Sequence, residues 1–204
     1  MNDEENKAWV TIHLPWLTPG QVALMLDNNL EFLFRLNPFL RVDHWEADLA
    51  CGRAGGVIRC CFFNEMNGLN TEYSLTAEPV PQGWLLHYDR GWKRCLELCW
   101  EPHVEIGTTL TFVEYYHPVA NEVERTERLK EVDHSLVPWA RAVRRYHRWH
   151  TALGWLPPAR WYLDWLPVLA PHHRRMARLL IWSSIVEVLL LFLILGTFSL
   201  ISQN

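Results

Sequence analysis

Short motifs that announce chemistry are missing from this 204-residue chain. Its five cysteines, Cys51, Cys60, Cys61, Cys95 and Cys99, never fall into a C-x-x-C or C-x-x-C-H spacing. That removes zinc-ribbon and covalent-haem readings, and it suits a reducing compartment where free thiols serve as small core residues. There is no P-loop, glycine-rich dinucleotide loop, H-E-x-x-H or G-x-S-x-G, so the reactions those motifs carry have no support. Asp133-His134-Ser135 contains triad residue types, but neighbours in sequence point in different directions. Asp43-His44 and Glu114 say no more than that. His147 and His150 share a helix face, yet no nearby carboxylate or cysteine completes a ligand set, so neither a metal nor a cofactor is expected. The start, Met-Asn-Asp-Glu-Glu, is acidic and carries no apolar stretch, unlike a signal peptide. Internal repeats and low-complexity linkers are absent too.

What the chain does have is a long apolar run near its end. Leu179 to Ile201 reads LLIWSSIVEVLLLFLILGTFSLI, with Glu187 as its single ionisable residue. About 23 residues at roughly 1.5 Å each give a helix of about 34 Å, enough for a hydrocarbon core of about 30 Å. The expectation is a water-facing body held by a C-terminal anchor. Glu187, with Ser183 and Ser184 a turn before it, suggests a helix–helix contact within the span.

Charge is divided unevenly. Residues 1–140 hold 11 Lys/Arg and 21 Asp/Glu, whereas residues 141–178 hold eight arginines and one acid, Asp164. The arginines Arg141, Arg144, Arg145, Arg148, Arg160, Arg174, Arg175 and Arg178 are interleaved with Trp149, Trp155, Trp161, Tyr162 and Trp165. Rings favour the headgroup level and arginine favours anionic lipid, so this segment reads as a membrane interface. Nothing basic follows the span. The positive-inside rule therefore places the body on the cytoplasmic side and the C-terminus outside, as in a bacterial inner membrane. The acidic body argues against a nucleic-acid partner.

Periodicity organises the rest. Residues 8–14 read as a strand. Thr18-Pro19-Gly20-Gln21 predicts a capped helix start, followed by Val22, Met25, Leu26, Leu30, Leu33 and Leu36 at helical spacing, with Asn37-Pro38 ending it. Segments 40–49, 56–65, 70–78, 83–89, 93–101 and 107–116 are rich in β-branched and aromatic residues. Short turns such as Asn67-Gly68 separate them, which predicts an antiparallel meander. Leu96, Leu98 and Trp100 share one strand face. Leu129, Val132, Leu136, Trp139, Val143 and Tyr146 return to helical spacing. Pro138 is expected to kink or divide that helix and Gly154 to stop it. Pro157-Pro158 opens a second short helix, which Pro167 and Pro171 interrupt before the span.

This order of strand, helical segment, about six antiparallel strands and a long helix resembles the START / Bet v 1-like superfamily, also called SRPBCC. That superfamily includes polyketide cyclase-like and coenzyme Q-binding proteins. The resemblance covers roughly residues 8 to 153 and is one of element order, so it carries over no catalytic residue. It implies an α+β helix-grip fold: a sheet wrapped around the long C-terminal helix, with an apolar cavity between them for a lipid, sterol, quinone or polyketide. The expected divisions are residues 1–153 for that domain, 154–178 for the interface segment and 179–201 for the transmembrane helix. Trp45, Phe62, Tyr73, Trp84, Tyr88, Trp100, Phe112 and Tyr115 are the expected pocket walls. The functional expectation is a non-enzymatic binding domain at the cytoplasmic face for an apolar molecule such as a lipid, isoprenoid or quinone, in contact with membrane lipids. A second expectation is an accessory subunit docked on integral membrane proteins of a larger complex. A cyclase-like enzyme is the third.

Overall fold

Strands form where β-branched and aromatic side chains alternate, and helices where apolar side chains recur every three or four residues. A computed structural model describes residues 6–49, 55–118 and 122–202. Strand β1 (Lys7–Leu14) is followed by helices α1 (Pro19–Asn28) and α2 (Leu30–Arg35). Six strands come next: β2 (Leu40–Leu49), β3 (Gly56–Asn64), β4 (Leu69–Val80), β5 (Gly83–Tyr88), β6 (Lys93–Pro102) and β7 (Thr108–Tyr116). The chain ends with α3 (Glu122–Leu153), α4 (Pro157–Trp165), a 3-10 turn (Leu166–Val168) and α5 (Pro171–Ser202).

All seven strands form one antiparallel sheet in the order β1-β7-β6-β5-β4-β3-β2. Consecutive strands pair through short turns. In the β3–β4 hairpin Gly68 takes a positive φ of 71°, a conformation that glycine reaches without a Cβ penalty. β1 instead pairs with β7, so the connection through α1 and α2 crosses from one edge of the sheet to the other.

The inner face follows period two. On β6, Leu96, Leu98 and Trp100 are buried, and on β7, Thr108, Leu110, Phe112, Glu114 and Tyr116 point inward. α3 lies across this face and buries Leu136, Trp139, Ala140 and Val143. Trp139 fixes the helix. Its indole N–H donates to the Leu33 carbonyl at 2.8 Å, and its ring packs on Phe34 at 5.3 Å and Phe112 at 5.1 Å. Each such large apolar side chain stabilises the fold by about 1.5–3 kcal/mol on burial. The result is the α+β helix-grip arrangement expected from the order of elements.

Three details differ from the sequence reading. The first helical segment is two helices, because Asn29 leaves the helical region (φ −150°, ψ 50°) and caps α2, its side-chain oxygen accepting from the Phe32 N–H at 3.2 Å. At the start of α1 the Thr18 and Gln21 capping box forms as the residues predict. α3 is not divided at Pro138 but runs through it, since its buried face on the sheet outweighs one missing hydrogen bond. Gly154 ends α3 where a Cβ would meet the His150 carbonyl oxygen at 2.3 Å. Pro171 opens α5 rather than interrupting the approach to it, a position where proline's missing N–H costs nothing. Cys51 and the side chains of Leu129, Val132, Asp133 and His134 lie outside the described residues.

Candidate functional site

Between the sheet and α3 lies a cavity of about 300 Å³. β3, β4 and β5 build one wall, because their register (Cys60 opposite Tyr73, Leu75 opposite Tyr88) sets Phe62, Tyr73 and Tyr88 in a row. Phe34 stacks on Phe62 at 5.3 Å, Tyr73 meets Phe62 at 5.9 Å, and Tyr73 meets Tyr88 edge-on at 5.3 Å. Trp139 and Trp92 close the other sides. Burial, and then the nearby Glu114 charge, pushes the Tyr88 phenol well above its ordinary range, so it stays neutral.

One charged group reaches this aromatic wall. The Lys93 ammonium lines the cavity and donates to Glu114, whose carboxylate is 1% exposed. The Tyr116 hydroxyl donates to the other Glu114 oxygen, and Trp92 stacks on Tyr116 at 5.0 Å. The buried carboxylate is therefore paired and hydrogen-bonded, the condition under which a buried charge is tolerated. The Lys93 ammonium keeps further N–H donors beyond the one given to Glu114.

Of the residues expected to line a pocket, Phe62, Tyr73 and Tyr88 do so. Trp45 packs behind the wall, at 5.3 Å from Phe34 and 6.3 Å from Phe62. Trp84, Trp100 and Phe112 are fully packed in the core away from the cavity, with the Trp84 indole N–H donating to Asp27 on α1 at 2.9 Å. Tyr115 stands on the opposite face of β7 and donates its hydroxyl to Glu97 at 2.8 Å, because it alternates with the inward Glu114 and Tyr116. Phe34, Trp92, Lys93 and Trp139 were not foreseen there. The alternation of β7 was a usable signal for an inward Glu114, whereas nothing local marked Phe34 or Trp92.

The rim of this cavity includes Asn37, Phe39, Asn64 and Met66. The start of α5 is fastened at Asn37, and at Pro38 and Glu65, the chain neighbours of these lining residues. Arg174 is buried and donates to the Asn37 carbonyl at 3.1 Å and the Leu169 carbonyl at 2.6 Å. Arg175 donates to the Pro38 carbonyl at 3.3 Å and approaches Glu65 at 3.5 Å, and the His172 ring lies 3.1 Å from the same carboxylate. Pro171–Leu195 is long and apolar enough to cross a membrane, and none of its most apolar stretch is buried against the body.

A second cavity, an open cleft of about 550 Å³, lies on the other side of that helix start, between the end of α3, α4 and α5. Arg145, Arg174 and Arg178 line it together with apolar side chains. Arg141, Arg144 and Arg148 point to solvent on α3. Trp155 and Trp161 are 75% and 67% exposed, and Trp161 stacks on Trp165 at 5.7 Å along α4. Ser183 donates to Glu187 at 3.3 Å and Ser184 to the Leu180 carbonyl at 3.0 Å, all on the exposed surface of α5. On α3, His147 has a buried ring nitrogen with no hydrogen-bond partner, and burial, aided by His150, lowers its pKa to about 4. No group of three or more possible metal ligands occurs among the described residues.

No protein-family model matches the chain, and no curated protein matches it. Solved structures do. A crystal structure of a Nitrosomonas europaea protein is similar over 74% of this chain and 99% of that one, at 12% identity and a TM-score of 0.55. A Thermus thermophilus protein is similar over 68% and 94%, at 16% identity and a TM-score of 0.52. An AHSA1-like protein from Aeromonas hydrophila aligns over 68% and 92%, at 12% identity and a TM-score of 0.45. At these identities the likeness is one of fold.

Proposed function

We propose that this START/Bet v 1-like fold is a membrane-anchored binding domain that takes an apolar molecule, or the ring of one, from the bilayer into the cavity beneath its sheet. The observation that carries the reading is where the apolar helix starts: Arg174 is held by Asn37, which lines the cavity, and Arg175 and His172 are held by Pro38 and Glu65, which lie between the lining residues Asn37 and Phe39 and between Asn64 and Met66. A cavity mouth there would stand at the membrane surface, where the ligand is concentrated and modest affinity suffices. A volume of about 300 Å³ suits a ring head or a short chain segment. Stacked rings would hold a flat group, and Lys93 would donate to a carbonyl or hydroxyl oxygen, as a quinone or isoprenoid alcohol offers. The arginine-rich segment next to the helix supports a cytoplasmic body.

Native mass spectrometry of the full chain, extracted gently from its own membrane, tests this. The expected result is one apolar molecule retained per chain, lost in Ser135→Trp, which fills the cavity from α3, while cooperative unfolding persists. A wild-type chain that keeps no such molecule, and regains none from a total lipid extract, overturns the reading.

A second reading is supported by Glu187. Among the described residues its carboxyl meets only Ser183, and an unpaired carboxyl within hydrocarbon costs about 2.5–3.5 kcal/mol. A donor on a neighbouring helix would offset that cost, as in an accessory subunit of a membrane complex. Glu187→Leu would then release the chain from its complex on native gels, and unchanged migration would remove the reading.

A further inference from the structure

The open cleft is not used by the sheet cavity or its ligand. Its walls divide by chemistry. Trp149 from α3, Leu163 from α4, and Ile181, Trp182 and Ile185 from α5 make an apolar trough. Arg145, Arg174 and Arg178 make one end of it cationic. The two parts come in a fixed order along α5. Arg174 and Arg178 precede Ile181 and Ile185 by about two turns. The cations therefore lie where the helix leaves the body, and the trough continues along the stretch long enough to cross a bilayer.

Arg145 and Arg178 are exposed to solvent, and the buried Arg174 has, among the described residues, only the more distant charge of Glu65 to offset its own. Arg174 gives its hydrogen bonds to neutral carbonyls. Among the described residues no carboxylate lies within ion-pairing distance of Arg145 or Arg178. The charges also act on one another, with Arg178 repelled by Arg145 and Arg175, and Arg174 by Arg178. Asp164 is the only acid between residues 141 and 178. Its oxygens are taken up by the Tyr146 hydroxyl at 3.1 Å, with Arg160 at 3.8 Å and His150 at 3.9 Å. Like charges held together at the end of an apolar trough are stable when an anion sits among them. An anion with a hydrocarbon chain satisfies both walls at once.

We propose that this cleft binds one anionic phospholipid of the bilayer, its phosphate held by Arg145 and Arg178 and one acyl chain lying along Ile181, Trp182 and Ile185. Guanidinium groups on two different helices suit a phosphate, which presents several acceptor oxygens. The bound lipid bridges α3 and α5 and sets the body's tilt on the membrane. This site is independent of the sheet cavity and stands whether or not that cavity is filled.

The test uses the delipidated full chain in detergent, offered phosphatidylglycerol or phosphatidylcholine and read by native mass spectrometry. Wild type is expected to hold one phosphatidylglycerol in clear preference to phosphatidylcholine. Arg145→Gln/Arg178→Gln is expected to lose about ten- to thirtyfold of that preference, from about 1 kcal/mol per arginine near the headgroups. Ala159→Trp, which fills the trough from α4, should remove both lipids, whereas Ser135→Trp should leave phosphatidylglycerol in place. Equal retention of the two lipids, retention of neither, an arginine variant with unchanged preference, or a second protein chain seated in the cleft would each overturn the assignment. So would thermal protection by inorganic phosphate alone equal to that by phosphatidylglycerol, since the site would then read the anion without the chain.

Discussion

The cavity under the sheet and the cleft beside α5 use the same kinds of side chain, rings and cations, in opposite electrostatic states. Under the sheet the single ammonium, Lys93, is matched by Glu114, which also accepts from Tyr116, and the rings are packed stacked, tilted and edge-on between three strands and α3. In the cleft Arg178 is repelled by Arg145 and acts on Arg174, no carboxylate pairs with Arg145 or Arg178 among the described residues, and the rings of Trp149 and Trp182 are 43% and 62% exposed. A buried carboxylate such as Glu114 must be satisfied by the protein, because water cannot reach it. The exposed Arg145 and Arg178 can leave that to a ligand. The first region should therefore govern stability and the second should govern binding.

The sharpest way to break that contrast is to remove a ring from each side. Trp139→Ala should cost about 3–5 kcal/mol in denaturant unfolding, through the lost packing on Phe34 and Phe112 and the orphaned Leu33 carbonyl. Trp149→Ala, 43% exposed in the cleft, should cost about 1 kcal/mol or less. Similar losses at both sites would end the distinction.

Next in size is the ion pair. Lys93→Met strands the buried Glu114 and should cost about 3 kcal/mol, and Lys93→Met/Glu114→Leu should recover most of it. A double-mutant cycle without coupling would show that the pair is not what keeps the carboxylate buried.

The third prediction compares two histidines one turn apart on α3. The Nε2 atom of the half-buried His147 is buried, and desolvation lowers its pKa from 6.5 to about 4. Above pH 6.5 the folded and unfolded chains are both neutral there, and the full stability is present. As pH falls from 6.5 to about 4 the unfolded chain takes up a proton that the folded chain refuses, so stability drops, by about 3 kcal/mol at most. His147→Leu should flatten that window in acid-unfolding curves, and His150→Leu should change it far less. Equal slopes in the wild type and the His147 variant would mean that the ring titrates normally.

The smallest effect belongs to the cleft cations. In lipid-free detergent Arg145→Gln and Arg178→Gln should each alter unfolding stability by no more than about 0.5 kcal/mol, since neither meets a carboxylate among the described residues. A large loss would place these arginines in the fold rather than at a ligand.

Much of the scaffold was legible from the residues. The capping box at Thr18 and Gln21, the Asn67-Gly68 turn and the alternation of Leu96, Leu98 and Trp100 all depend on interactions within a few residues, and each formed as read. The cavity was less legible. A dense set of strand aromatics does not say which face each one takes, and Tyr115 went outward one position from Glu114. Phe34 enters the wall from α2, far from the wall strands in sequence, and Trp92 from the turn after β5, and no local pattern marks either.

Residue order alone was enough for the α+β succession of elements, the division of charge at residue 140 and a C-terminal helix apolar enough to cross a bilayer, because propensity, period and hydropathy are local sums. Where the empty space lies came from packing in three dimensions. Packing fastened Arg174 and Arg175 to the carbonyls of Asn37 and Pro38, beside the sheet cavity, while Arg174 and Arg178 line the cleft. Each of those contacts joins residues 137 positions apart, and a void is a property of packing that no single segment contains.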